Sequence, residues 1–160
     1  LVERALKIDL EHGRFIYGGS TITQQLVKNL YLTRDKNLAR KLEEAIIAWQ
    51  MERVLTKDEI LTTYINCIEY GPNIYGIKEA ARVYFAKKPQ DLDALESAFI
   101  MGLKPYPKAG YNQFLHQTLD VWWIRRVSHV LRFMAKFAPQ DITLEEAEAF
   151  TPFQPAFRKL

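Results

Sequence analysis

The sequence predicts a mainly α-helical domain. In most segments apolar residues return every third or fourth position, which gathers them on one side of a helix. Three pairs of a threonine and a Glu or Gln three residues later are typical of capping boxes at helix starts: Thr21/Gln24, Thr56/Glu59 and Thr143/Glu146. No internal repeat, low-complexity run or linker divides the chain, so we expect one helical domain over residues 1–150 and an extended connector over 151–160.

Composition limits the kind of protein. The 160 residues are enough for one domain with its own core, and 48% hydrophobic with 26% charged residues is usual for a globular protein. A net charge of +3 is too small to indicate nucleic-acid binding. The single cysteine, Cys67, excludes an internal disulfide and a cysteine-based metal cluster, and the three histidines are isolated, so we predict no metal site. The chain opens at Leu1 without an initiating Met, which we interpret as the inside of a longer protein.

The first elements follow from spacing and from glycines. A helix is expected over 1–12, ending at His12-Gly13, with a loop at 15–17. The next helix starts at Thr21 and carries an apolar stripe of Ile22, Leu26 and Leu30.

Residues 37–55 give the clearest helical pattern after a polar break at 33–37. We expect a buried stripe made of Leu38, Leu42, Ala45, Ile46 and Trp49. Arg40, Lys41 and Glu44 lie on another side of the same helix.

The remaining segments read as helices separated by prolines and glycines. They are expected from Thr56 through Ile65, over 77–87, over 91–103, over 115–137 and from Thr143 to Phe150. Residues 66–73 form a break, and 104–108 form a non-helical basic and aromatic lip. Trp123 and Arg126 could face a partner, but we favour the alternative that Trp122 and Trp123 are both core residues.

Two stretches suggest an anion-binding site. Gly18 and Gly19 precede a helix start, where unpaired N–H groups and the helix dipole favour an anion, and Lys28 lies further along that helix. An ordinary capped helix with a solvated polar side is the alternative. Downstream, Lys36, Arg40 and Lys41 surround Glu44 at helical spacing. This cluster is either a surface ion-pair ladder or a set of cations that neutralises a phosphate leaving group.

The same residues carry a family resemblance. Gly18-Gly19-Ser20-Thr21-Ile22-Thr23-Gln24-Gln25-Leu26-Val27-Lys28-Asn29 resembles the second signature motif of the peptidoglycan glycosyltransferases, the transglycosylase domains of penicillin-binding proteins and their monofunctional relatives (glycosyltransferase family 51). Arg40-Lys41-Leu42-Glu43-Glu44, continuing to Glu52, resembles the third motif, and 57–66 resembles the fourth. Residues 96–107 with Tyr111 are similar to the fifth, less closely.

The resemblance implies a lysozyme-like helical domain that polymerises lipid II into glycan strands for the bacterial cell wall. The partners would be lipid II, the growing strand, the outer face of the plasma membrane and other cell-wall synthesis proteins, without nucleic acid. It implies that Glu44 is catalytic. The donor and its pyrophosphate would be bound by Ser20, Thr21, Gln24, Gln25, Lys28, Lys36, Arg40 and Lys41. The resemblance implies that no cofactor is required, and it leaves open whether a divalent cation assists at the pyrophosphate.

Departures from the family pattern define the alternatives. The first motif, whose glutamate takes the proton from the attacking hydroxyl, is absent from residues 1–17, so we expect these 160 residues to bind donor without turnover and the domain to be incomplete at its N-terminus. Glu69 favours the monofunctional branch, while Lys104 replaces a proline usual near the fifth motif. The alternatives are a degenerate module that binds lipid-linked glycan or scaffolds partners, and a lysozyme-like hydrolase.

Overall fold

The computed structural model describes residues 21–32, 38–118 and 120–148. The α-helices are α1 (Ile22–Tyr31), α2 (Leu38–Val54), α3 (Lys57–Cys67), α4 (Ile77–Phe85), α5 (Ala94–Leu103), α6 (Pro107–Leu115), α7 (Val121–Phe137) and α8 (Leu144–Glu148). Two short strands, β1 (Glu69–Gly71) and β2 (Ile74–Tyr75), and a 3₁₀ turn at Pro89–Asp91 complete them. The mainly α prediction is confirmed. The expected helix at 1–12, the break at 33–37 and the connector at 151–160 lie outside the described residues.

The described residues form two compact units, and the division lies between Ile68 and Glu69. In the first unit α1 packs against both α2 and α3. In the second, α5 packs against α7, and α7 also contacts α8.

The predicted capping boxes are confirmed. At Thr21 and Thr56 the threonine side chain accepts from the third helical N–H while the Gln or Glu side chain accepts from the threonine N–H. Thr143 and Glu146 form the same reciprocal pair at the start of α8. A further box, Asp93 with Glu96, starts α5. Each box is satisfied within four residues, so no tertiary contact is needed to form it.

The predicted buried stripe of α2 is wrong. Leu38, Leu42, Ile46 and Trp49 are 57–64% exposed, and Ala45 is exposed as well. The packed side of α2 instead carries Glu44 and Ala48. Leu42 and Glu44 are two residues apart, which is about 200° round a helix, so burying one turns the other outward.

The core of the first unit is built around α1. Leu26 and Val27 are fully buried, together with Ile60 and Tyr64 from α3. The expected stripe on α1 is therefore only partly right, because Ile22 and Leu30 are each 45% exposed.

The break expected at 66–73 contains the end of α3 and most of a two-stranded hairpin. Glu69 on β1 lies opposite Tyr75 on β2 in an antiparallel pair. The turn contains Asn73 with a φ of 60°, a left-handed conformation that asparagine tolerates better than most residues.

An aromatic cluster fills the second unit. The ring of Tyr84 meets those of Phe99 and Phe114 edge to face, with centroids 5.7 and 4.8 Å apart. Its hydroxyl donates to the carbonyl of Tyr70 at 2.8 Å. Burial raises the pKa of Tyr84, so the phenol keeps the proton that it donates. The predicted inward residues Ala80, Ala81, Ala98, Phe99 and Gly102 are buried, whereas Ile77, Leu92 and Leu95 are half-buried.

The segment 104–137 differs from its prediction. Pro107 begins α6, although the non-helical lip was expected to run to residue 108, because proline is accepted at the first position of a helix. The long helix starts at Val121, not near 115, with Asp120 as its cap. Trp123 is buried and Trp122 exposed, so neither the partner-facing role of Trp123 nor the core role of Trp122 is correct.

Two glycines of the second unit allow a sharp test of its packing. A Cβ at Gly110 would lie 2.4 Å from Leu103 Cδ2 and 3.1 Å from the Trp123 ring, whereas at Gly102 it would meet Val127 Cγ2 at 3.5 Å. We expect Gly110→Ala to lower the free energy of unfolding by about 1–3 kcal/mol through overpacking. Gly102→Ala should leave the free energy of unfolding nearly unchanged or raise it by up to about 1 kcal/mol, because alanine is favoured over glycine in a helix. Urea unfolding measures both, and equal effects would contradict the packing described.

Candidate anion-binding site

Glu44 is the centre of the candidate site on α2. Its side chain is 1% exposed, and Arg40 Nη1 donates to Oε2 at 3.1 Å while Lys41 Nζ donates to Oε1. The i, i+4 and i, i+3 spacings on one helix bring both cations to the same carboxylate. Glu44 is therefore the buried centre of these two ion pairs, while Lys41 is partly exposed.

The two cations reach further out than the carboxylate they hold. The side chains of Arg40 and Lys41 are 15% and 34% exposed. A buried carboxylate needs paired charge, and Arg40 and Lys41 provide it here. Both cations are partly exposed, and guanidinium and ammonium groups both suit phosphate oxygens.

The start of α1 provides the second part of the predicted site. Thr21 and Gln24 are engaged in the capping box, and the Gln25 amide oxygen accepts from the hydroxyl of Tyr64 on α3 at 3.1 Å. Burial raises the pKa of Tyr64 to about 12, so the hydroxyl remains a donor at neutral pH. Lys28 is exposed. The side chain of Gln25 is thus held by a hydrogen bond between α1 and α3.

A contact that the sequence reading missed sets the position of α1 on α2. The buried Thr23 hydroxyl donates to Glu52 Oε1, and Lys57 Nζ pairs with the same oxygen at 3.0 Å. Glu52 lies eight residues after Glu44, a rise of about 12 Å along the helix. The start of α1 thus lies against α2 roughly that far from the Glu44 cluster along its axis. Glu52 falls within the stretch that resembles the third motif, which was the available signal.

The predicted residues are therefore divided between two helices. Arg40, Lys41 and Glu44 meet directly on α2, and Thr21, Gln24, Gln25 and Lys28 lie on α1. Ser20 and Lys36 lie outside the described residues. Within the described ranges no group of His, Cys, Asp and Glu is arranged to hold a metal ion.

The Thr23–Glu52 contact predicts a measurable titration. The hydrogen bond from Thr23, followed by the pair with Lys57, lowers the pKa of Glu52. We expect Thr23→Val to move this pKa back toward its ordinary value, measured by NMR titration of the carboxyl carbon. A lowered pKa stabilises the fold above the unfolded value, so the contribution is present at neutral pH and lost as the pH falls through the folded pKa.

Glu59 is the internal control, because its pKa is lowered by its own cap at Thr56 and should not respond. An unchanged Glu52 pKa in Thr23→Val would show that the contact does not exist in solution.

Comparison with known proteins gives consistent matches. The sequence model of the transglycosylase family matches residues 2–135. Penicillin-binding protein 1A of Pseudomonas aeruginosa is 46% identical over 148 residues, which are 92% of this chain and 18% of that protein. Penicillin-binding protein 1A of Aquifex aeolicus is 44% identical over 115 residues, 72% of this chain and 16% of that protein.

A shorter relative is covered more fully. The biosynthetic peptidoglycan transglycosylase of Acinetobacter baumannii is 38% identical over 130 residues, 81% of this chain and 56% of that protein. The chain thus spans less than two thirds of the length of each of these relatives.

Proposed function

The chain belongs to the transglycosylase family, and we propose that it acts in peptidoglycan synthesis as a glycosyltransferase that polymerises lipid II into glycan strands. The observation that carries the proposal is the buried Glu44 carboxylate with Arg40 and Lys41 fixed on it, both of them partly exposed. Such a pair of held cations suits a reaction whose leaving group is a pyrophosphate.

The proposed reaction is a displacement at the anomeric carbon of the growing strand. The 4-hydroxyl of an incoming lipid II forms the new C–O bond with inversion, while the bond from the anomeric carbon to the pyrophosphate oxygen breaks. The hydroxyl proton passes to a general base, for which we propose the glutamate of the family's first motif. The polyprenyl pyrophosphate leaves with the electron pair of the broken bond and carries the negative charge that develops.

Glu44 contributes to this reaction by fixing the cations. Because its side chain is nearly inaccessible, we propose that its catalytic effect passes through Arg40 and Lys41, which it holds in place for the pyrophosphate. Lys36 would join them. The start of α1, with Ser20, Thr21, Gln24, Gln25 and Lys28, would line the donor sugar and phosphate site.

No cofactor is needed in this scheme, since the side-chain cations supply the positive charge. A divalent cation bridging the pyrophosphate would add to them, and activity in the presence of a chelator distinguishes the two cases.

The substrate determines where the protein works. Lipid II is anchored in a bilayer, so we propose that the domain acts at the extracytoplasmic surface of the bacterial plasma membrane, beside other cell-wall synthesis proteins. None of the helices in the described ranges combines the length and the apolar composition that a membrane span requires.

Replacing the buried carboxylate tests its role. We expect Glu44→Gln in the complete protein to lower the rate of lipid II polymerisation about 100-fold or more, since the neutral amide no longer holds both cations. The measurement is glycan-strand formation from labelled lipid II. Glu43→Gln is the matched control, because Glu43 is the adjacent, exposed carboxylate and should leave the rate unchanged. Normal polymer from Glu44→Gln would overturn the assignment.

Binding of the pyrophosphate tests the cations separately. Charge-assisted hydrogen bonds are worth about 1.5–3 kcal/mol, so Lys41→Gln should weaken binding of a soluble short-chain lipid II about 10-fold to 100-fold. Titration calorimetry with residues 1–160 measures this without requiring turnover. Arg53→Gln removes an equal charge from an exposed position on the same helix and should leave the affinity unchanged. Equal losses in the two variants would indicate general electrostatic attraction only.

A further inference from the structure

The outer side of α7 exposes large aromatic residues. On its inner side Trp123, Val127 and Leu131 are buried in the second unit. On the other side Trp122, Phe133 and Phe137 are 45%, 58% and 63% exposed. At about 100° per residue, Phe133 and Phe137 lie about 20° and 60° round the helix from Trp122, so the three form one stripe along its length. We call this stripe, with the cations beside it, the α7 outer face.

The same helix carries charge of one sign. Val121–Phe137 contains four basic residues and no acidic residue: Arg125, Arg126, Arg132 and Lys136. Within the described residues Arg125, Arg132 and Lys136 form no ion pair. Nearby carboxylates are those of Asp120, which caps α7, and of Glu145, Glu146 and Glu148 on α8, where Glu146 is bound by Thr143.

Cations and aromatic rings are interleaved on this face. The Arg126 guanidinium lies over the Trp122 ring at 5.6 Å and donates from Nε to the Gly102 carbonyl. Lys136 Nζ lies 5.2 Å from the centroid of the Phe137 ring, which packs against Phe133 with centroids 4.5 Å apart. These contacts hold the rings at the surface although their exposure to water is unfavourable.

We propose that the α7 outer face docks on an anionic phospholipid surface. Exposed aromatic rings that can enter the headgroup region, with basic side chains beside them and no acidic ones among them, are the combination that an anionic bilayer interface attracts. A protein hot spot would be a compact cluster inside a polar rim. Here the aromatics are spread over a 17-residue helix, about 25 Å long. The lipid surface itself rests on the proposed function, because a lipid-linked substrate requires one.

Vesicle binding tests the proposal with the full 160-residue chain. The probe is vesicles of phosphatidylethanolamine and phosphatidylglycerol without any lipid-linked sugar. We expect the chain to sediment with them and not with phosphatidylcholine vesicles. Arg125→Gln/Arg132→Gln should weaken binding about 25-fold, at roughly fivefold per basic residue. Trp122→Ala/Phe133→Ala/Phe137→Ala should weaken it at least about tenfold, and circular dichroism checks that the variant keeps its helical content.

Lys78→Gln/Lys88→Gln is the matched control. Both lysines are exposed residues of the same unit and are not part of α7, so the net charge falls equally while binding should persist. If Lys78→Gln/Lys88→Gln weakens vesicle binding as much as Arg125→Gln/Arg132→Gln does, the attraction is general and the proposal is overturned.

Tryptophan fluorescence locates the contact. Trp122→Phe should remove the lipid-induced blue shift and Trp49→Phe should leave it, since Trp49 lies on the exposed apolar side of α2. The reverse result would place the lipid contact on α2 and overturn the proposal. Binding to soluble uncrosslinked glycan strands, with no binding to vesicles, would also overturn it. Glu44→Gln should bind vesicles normally, so failure of the glycosyltransferase function and failure of lipid docking are separable.

Discussion

Burial of the Glu44 carboxylate is the constraint on which the first unit depends. A charge can be taken out of water only with compensation, and Arg40 and Lys41 provide it from the same helix. Once that side of α2 packs against α1, the leucine-rich side must face outward. A purely apolar interface would have used Leu38, Leu42 and Ile46 instead. The fold therefore leaves these three apolar side chains exposed, and the packed side of α2 holds Arg40 and Lys41 in place on Glu44.

The burial of the Glu44 side of α2 shows which parts of the fold could be predicted from the sequence. Capping boxes such as Thr56/Glu59 depend on residues three apart, so the sequence alone identifies them. The Arg40–Glu44 and Lys41–Glu44 pairs are equally local and were predicted with the correct partners. Which side of α2 is buried depends on α1, a tertiary neighbour. Hydrophobic periodicity indicates an amphipathic helix, but a polar side that is itself packed reverses the assignment.

Errors in the second unit also come from context. Pro107 is unfavourable within a helix and favourable at its first position, and only the chain path decides between these cases. Trp122 and Trp123 are adjacent, hence about 100° apart on α7, so one helix side cannot bury both fully. The long-range contacts Thr23–Glu52 and Tyr64–Gln25 join residues 29 and 39 positions apart, and no local pattern in one sequence identifies such partners.

The exposed apolar sides of α2 and α7 differ in the charges that accompany them. On α2 the apolar row is accompanied by charges of both signs, Glu43 and Arg53, and Arg53 lies over Trp49 at 4.9 Å. That mixture favours no class of partner by charge. On α7 the aromatics are accompanied by cations alone, and an anionic surface is favoured over any neutral one. Apolar exposure by itself thus shows only that a surface is uncovered, whereas the sign of the charge beside it indicates what can cover it.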